Sequence, residues 1–296
     1  MAVRLLGTAD DCWRGDALAP FALEELECRR TGEDGVPAVH LWRHERAVVL
    51  GMRDRKLPAA GEGVAWLERQ GYSVGVRHSG GAAVPLDEGV LNVTLILPKE
   101  AGRFGLRGEF QLMADVIGSA VRACGLELRA GEVAGSYCPG EFDLSVQGRK
   151  FCGIAQRRLV RSVAVQAFIN VTGSGAARAS LIRGYYERAG AQRGGRTAQT
   201  QAQALEDRTA RSVLPGSTQL PPSFSVPPPY PDVRKESTAS LQELLRGDAL
   251  TVRDFADLVK RAIGERLGGP LQPCEPAAGP GEIRSMAELM RRRYGG

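Results

Sequence analysis

The sequence predicts an α/β (α+β) protein: a mixed sheet with helices on its faces, followed by a helical C-terminal region. Three observations predict it. Runs of alternating apolar residues recur between positions 39 and 171, with the period of two that a half-buried strand requires. Segments with apolar residues three and four apart lie between and after those runs. The composition, 43% hydrophobic and 25% charged over 296 residues, is that of an ordinary globular chain and excludes a disordered chain, a collagen-like fibre or a disulfide miniprotein.

The elements follow in order. Residues 16–30 place Leu18, Phe21, Ala22 and Leu26 near helical spacing, with Pro20 early enough to be tolerated. Residues 39–43 and 46–50 read as strands, with His44 and Glu45 in a turn between them. Residues 72–77 and 90–97 are further strands; in the second, Leu91, Val93, Leu95 and Leu97 share a face. Residues 109–124 form a helix with Phe110, Met113, Ile117, Val121 and Cys124 in one stripe. Residues 142–146 and 150–157 make a hairpin around Gln147-Gly148, and 163–171 alternate as another strand.

After Gly173 the character changes. Residues 180–188 read as a helix, 190–217 as a polar loop, and 221–231 as a proline-rich stretch without regular structure. Ser240 to Glu243 and Thr251 to Asp254 are capping boxes, the second opening an amphipathic helix. Residues 268–281 are rich in Pro and Gly, and 285–293 form a last short helix. One domain over 1–265 is expected, with a sheet core at about 30–175 and a helical part at about 180–265; 266–296 is a C-terminal extension.

Composition narrows the function. The net charge is +5, yet no Lys/Arg cluster interleaves with aromatics, so no nucleic-acid partner is expected. The longest apolar run, 90–98, falls short of the ~20 residues of a membrane helix, and the start lacks a secretory signal, so a cytoplasmic protein with no membrane partner is expected. Six cysteines without a CxxC pair read as reduced thiols. The histidines, His40, His44 and His78, have no ligand spacing to a cysteine, so no metal is expected. Nothing demands more than a monomer.

Three segments carry chemistry. Residues 77–87 (RHSGGAAVPLD) form a small-residue loop after a strand, where Gly80 and Gly81 let backbone amides approach a ligand; taken alone, a tight turn is the commoner reading. Residues 135–145 (GSYCPGEFDLS) hold Cys138 in a loop, where an exposed thiol is a candidate nucleophile. Cys124 on an apolar helix face and Cys152 within a strand read as inert. Residues 147–158 (QGRKFCGIAQRR) place Lys150, one of five lysines, beside the predicted turn. An ammonium next to a thiol favours the thiolate, although a solvated hairpin lysine is the commoner case for such a residue alone.

Together the three segments resemble the lipoate and biotin protein ligase superfamily. GSYCPGEFDLSVQGRKFCGIAQRR closely resembles one branch, the octanoyl-[glycine cleavage H protein]:protein N-octanoyltransferases, and ESTASLQELL near the C terminus is similar too. The resemblance implies a lipoate/biotin ligase-like catalytic domain. It also implies octanoyl transfer from octanoylated glycine cleavage H protein to lipoyl domains of 2-oxoacid dehydrogenase E2 subunits, in lipoate assembly. It maps the family's nucleophile onto Cys138 and its lysine onto Lys150. It gives Arg77, His78, Ser79, Gly80, Gly81, Asn92 and Gly153 as substrate-binding positions, with amides of Ser79–Gly81 or Gly153 at the oxyanion. The acyl slot is expected along strands 90–97 and 163–171, and Arg157, Arg158 and Arg161 as residues that steer acidic partners.

The chain departs from the ligases in the first loop. Ala82 and Leu86 stand where ligases carry a third glycine and a histidine, which argues against an adenylate and leaves no cofactor expected. Transfer from octanoyl-acyl carrier protein, an ATP-dependent lipoate ligase, a cysteine protease pairing Cys138 with His78, and a non-enzymatic binding protein are the rival readings.

Overall fold

The computed structural model describes residues 2–99, 105–190, 230–245 and 249–295. Strands β1 (Val3–Leu6) and β2 (Cys12–Trp13) precede helix α1 (Ala19–Asp34), followed by β3 (Ala38–His44), β4 (Arg46–Leu50), α2 (Ala60–Arg69), β5 (Ser73–Val76), β6 (Val84–Asp87) and β7 (Val90–Pro98). Helix α3 (Leu106–Ala123) leads to β8 (Arg129–Ala130), β9 (Leu144–Val146), β10 (Arg149–Arg158), β11 (Ser162–Asn170) and α4 (Gly175–Ala189). Helices α5 (Leu241–Leu244) and α6 (Val252–Leu267), strand β12 (Leu271–Pro273) and helix α7 (Pro280–Met290) complete the order. The polar stretch 191–217 and the proline-rich residues 221–229 lie outside the described residues.

Among the described residues the strands make two sheets. The large one runs β12-β1-β3-β7-β11-β10-β9-β8, with β2 beside β3. It is mixed: β1, β2 and β12 join in parallel, and the pairs from β3 to β8 are antiparallel. The small one runs β5-β4-β6. The expected turn at His44-Glu45 is therefore a corner between sheets, because β3 pairs with β7 whereas β4 pairs with β5 and β6. Two short alternating runs look alike whether they form a hairpin or a corner.

Alternation assigns the two faces of the large sheet. Leu91, Val93, Leu95, Val163, Val165 and Ile169 pack under α3 and α6, against Met113, Ile117, Phe255 and Val259. The opposite face carries Trp42 and Phe168 in a second core with Phe21 of α1, Val48 to Leu50 of β4, and Ile182, Tyr185 and Tyr186 of α4. The site lies in this second core. Phe110 leaves the predicted stripe of α3: it is half-buried and stacks on Phe142 at 4.5 Å, while Val116 takes a place in the core.

Both capping boxes form, and each contributes about 1 kcal/mol to its helix start. Glu243 of the first also accepts from the Gly175 N–H at 3.0 Å, which ties α5 to the start of α4. Past residue 266, β12 extends the sheet beside β1, and α7 buries Met286, Ala287 and Met290 against the core beside α1.

Candidate active site

The first loop leaves the small sheet, where the Arg77 N–H donates to the Leu50 carbonyl at 3.0 Å. Gly81 has φ +98°, and a Cβ there would lie 2.4 Å from Arg77 Nη2 and 2.8 Å from Cys138 Sγ. The loop backbone thus approaches the sulfur as only glycine permits. A Cβ at Gly51 would lie 2.0 Å from the Gly81 carbonyl, so the end of β4 is shaped to the same loop.

The second loop presents Cys138 at φ +47°, a left-handed conformation that costs a non-glycine residue roughly 1–2 kcal/mol. Its neighbours hold it there. The Tyr137 ring stacks on Phe168 at 5.7 Å, and Asn170 Nδ2 donates to the Tyr137 hydroxyl at 2.9 Å.

The third element is the β9–β10 hairpin. Gln147 (φ +53°) and Gly148 (φ +75°) make its two-residue turn with positive φ at both positions, as type I′ geometry demands. Lys150 follows and is fully buried, not a solvated hairpin lysine. Its ammonium donates to the carbonyls of Tyr137 at 3.0 Å and Cys138 at 2.5 Å, and pairs with Asp143 Oδ1 at 2.8 Å. It also sits 5.4 Å from the centre of the Phe168 ring. Burial pushes the Asp143 carboxyl above its ordinary range, and the Lys150 charge opposes that rise.

The groups within hydrogen-bond distance of the sulfur come from the first loop. The Ala82 N–H donates to Cys138 Sγ at 3.1 Å, and Arg77 Nη2 at 3.3 Å. Lys150 therefore grips the backbone of the cysteine, and Arg77 is the cation at its side chain. The thiol is 8% exposed rather than open to bulk water, but it lines a cavity of about 440 Å³. That volume lies within the ~300–1,000 Å³ of small-molecule sites.

Of the residues expected at the site, Arg77, Gly80, Gly81, Asn92, Cys138 and Gly153 line this cavity. Lys150 stands behind it and braces the cysteine loop. His78 and Ser79 are buried away from it, and His78 Nε2 lies 3.0 Å from Glu25 Oε2 rather than on the sulfur. The amide found at the sulfur is that of Ala82, one residue past the stretch expected. A Cβ at Gly153 would lie 2.5 Å from the Phe168 ring, so this glycine makes room for the ring.

The cavity wall comes from the expected strands, on one face of them. Strands β7 and β11 do supply it, but through Asn92, Thr94, Gln166 and Phe168, whereas Leu91, Val93 and Leu95 face the other core. Arg157 and Arg158 are engaged in ion pairs, with Glu25 at 3.1 Å and with Glu109; Arg161 remains exposed. The sequence reading missed Glu24, buried with its carboxylate in contact with His40, Trp42, Thr94 and Gln166. Burial raises its affinity for a proton, but those contacts outweigh burial and hold the carboxyl below the ordinary range. The signal was Glu24 on the apolar side of α1 facing the polar interruptions Thr94 and Gln166. Elsewhere, burial pushes the Cys28 and Cys152 thiols up, as befits inert sulfurs.

Residues 16–213 match the lipoyl protein ligase A/B catalytic domain model. The chain is 36% identical over 285 residues to the octanoyl-[GcvH]:protein N-octanoyltransferase of Bacillus velezensis, covering 95% of this chain and 89% of that protein. It is 38% identical over 257 residues to the protein of the same name from Exiguobacterium sibiricum, covering 87% and 81%. It is also 42% identical over 172 residues to the lipoyl-[GcvH]:protein N-lipoyltransferase of Listeria monocytogenes, covering 58% and 62%. Among solved structures, lipoate-protein ligase A bound with ATP superposes with a TM-score of 0.68 at 17% identity, covering 100% of this chain and 97% of that one, which shows the shared fold. The chain belongs to the lipoyl protein ligase A/B catalytic domain family, in the branch of the octanoyl-[GcvH]:protein N-octanoyltransferases.

Proposed function

We propose that this protein is an acyltransferase that moves an octanoyl group from a lysine of GcvH to a lysine of an E2 lipoyl domain, through a thioester on Cys138. The carrying observation is the placement of Cys138. Its sulfur faces two donors, the Ala82 N–H and Arg77 Nη2, and borders a cavity of mostly apolar lining. The 36% identity to an octanoyl-[GcvH]:protein N-octanoyltransferase across 95% of the chain supports the donor.

The chemistry runs in two steps. The Cys138 sulfur attacks the carbonyl carbon of the donor amide; the C–N bond breaks, and the lysine amine leaves with a proton. The acceptor lysine amine then attacks the thioester carbonyl; the C–S bond breaks, a proton leaves the nitrogen, and the sulfur is free again. Donor and product are both secondary amides, so their energies nearly match and no nucleotide is needed to drive the exchange. The thioester lies uphill, and binding of the eight-carbon chain offsets part of that cost. Burying about six methylenes at ~0.8 kcal/mol each gives at most ~5 kcal/mol.

The residues take separate roles. Arg77 and the Ala82 amide stabilise negative charge at the sulfur and on the adjacent acyl oxygen. Lys150 and Asp143 lock the strained Cys138 backbone in place and are positioning residues. The exposed Arg161 is free to meet an acidic partner. The protein acts as a monomer in the cytoplasm; six free cysteines suit a reducing compartment, and no helix among the described residues is long and apolar enough to cross a membrane.

The test mixes octanoylated GcvH, a de-acylated lipoyl domain and the enzyme without ATP. Acyl transfer to the domain is expected. A strict requirement for ATP and free octanoate, or for octanoyl-acyl carrier protein, would overturn the reading.

A further inference from the structure

Along α1, β3, β7 and β11 the cavity stops at a buried polar row, and we infer that this row, Glu24 with Gln166 and Thr94, sets the longest acyl chain the site accepts. The inference rests on the acyl-transfer reading above and adds a specificity device to it.

Same-face positions of β11 order the site along its length. Asn170 lies under Tyr137 next to the cysteine; Phe168, Gln166 and Ala164 follow at two-residue steps of roughly 6.7 Å each. The register carries each step across the sheet: Phe168 is level with Asn92 and Trp42, Gln166 with Thr94 and His40, and Ala164 with Ile96 and Ala38. Helix α1 covers the same face in step. Phe21 packs edge-on to Trp42 at 5.4 Å, Glu24 meets the Gln166 row, and buried Cys28 closes on Ala38, Ile96 and Ala164.

On β3, β7 and β11 the cavity is lined by residues of the first two of these rows below Asn170 and by none of the third, while on β10 its lining continues to Gln156 and Arg158, level with Val165 and Val163. Beyond Glu24 the space is filled by Cys28, Ile96 and Ala164. The floor is also tightly bonded. Thr94 Oγ1 donates to Glu24 at 2.7 Å and Trp42 Nε1 at 2.9 Å; His40 Nδ1 lies 3.1 Å away, and Gln166 Nε2 donates to the second oxygen. Gln166 Oε1 is buried without a hydrogen-bond partner, an acceptor held inside the row. A longer chain must displace a charge-assisted hydrogen bond to go on, a loss of roughly 10- to 100-fold in affinity.

The test titrates the intact protein with N-methyl alkanamides of six, eight, ten and twelve carbons by calorimetry. In parallel, kcat/KM is measured for GcvH acylated with the same chains. Affinity is expected to rise about fourfold per methylene up to eight carbons, the equivalent of ~0.8 kcal/mol per CH₂, and to fall at least tenfold at ten and twelve. Gln166→Ala moves the break to longer chains and raises the ten-to-eight ratio at least fivefold; Thr94→Ala, which removes another donor from the same carboxylate, moves it the same way. A wild-type affinity that keeps rising to twelve carbons, showing a side exit along β10, overturns the inference; so do folded variants with the wild-type ratio. Failure of octanoyl transfer with the eight-carbon break intact in the titration would instead sink the function and leave the chain-length stop standing.

Discussion

Replacing Lys150 by methionine separates a lysine that acts on the sulfur from one that holds the loop. Its ammonium is fully buried between Asp143 Oδ1 at 2.8 Å and the carbonyls of Tyr137 and Cys138. Methionine keeps the stem and removes the charge, so Asp143 is left buried without its counter-ion. Breaking a buried pair from one side costs about 3–5 kcal/mol, and at ~2–4 °C per kcal/mol the melting temperature should fall by about 6–20 °C at pH 7. The loss is pH-dependent. Burial already raises the Asp143 carboxyl, and without Lys150 it rises further, so the folded state binds a proton more readily than the unfolded one. Stability of the variant relative to wild type should therefore recover as pH falls from 7 toward 5. Lys150→Met/Asp143→Leu should recover most of the melting temperature at pH 7. It should still form thioester at least 100-fold more slowly, since the Cys138 carbonyl has lost its anchor. Thermal melts at pH 5, 6 and 7 and single-turnover acylation of GcvH-derived octanoyl groups check this. A folded Lys150→Met protein within about 1 kcal/mol of wild type that acylates at the normal rate would refute the reasoning.

Further predictions follow from the same geometry. Gly81→Ala places a methyl 2.8 Å from Cys138 Sγ at φ +98°, so acyl-enzyme formation should drop at least 100-fold in single-turnover assays while the melting temperature moves by a few degrees. Arg77→Met removes the cation 3.3 Å from the sulfur, and alkylation of Cys138 by iodoacetamide should slow at least tenfold by mass spectrometry, with Cys28 and Cys152 unlabelled in both proteins. Glu25 is pushed up by burial, but His78 and Arg157 outweigh this and hold its carboxyl at about 2. A depressed carboxylate stabilises the fold above the unfolded value and less so as pH falls, so wild type should lose stability from about pH 4.5 toward pH 2, and Glu25→Gln should flatten that slope in acid melts.

Much of this was legible in the chain because local patterns decided it. The alternation of 163–171, the Gln147-Gly148 turn and both capping boxes have short-range causes, and each appears where its pattern placed it. The motif at 135–158 marked Cys138 and Lys150, and both meet at the site. What was not legible depends on packing between distant segments. The split into two sheets follows from β4 pairing with β5 and β6, which no local signal announces. Lys150 reads as solvated until Asp143 and two carbonyls converge on it. The strands 90–97 and 163–171 do wall the cavity, but which of their faces does so is not legible locally: the greasier face is the core, and the cavity uses the face broken by Asn92, Thr94 and Gln166, because a binding site needs shape and a few polar marks more than bulk hydrophobicity.

The most direct measurement is the intact mass of the enzyme after incubation with octanoylated GcvH alone. The account predicts one octanoyl adduct, released by hydroxylamine, mapped to Cys138 and absent from Cys138→Ala, which also loses transfer to the lipoyl domain. Transfer at the normal rate by Cys138→Ala would contradict it, because the acyl group would then pass between the two proteins without touching that sulfur.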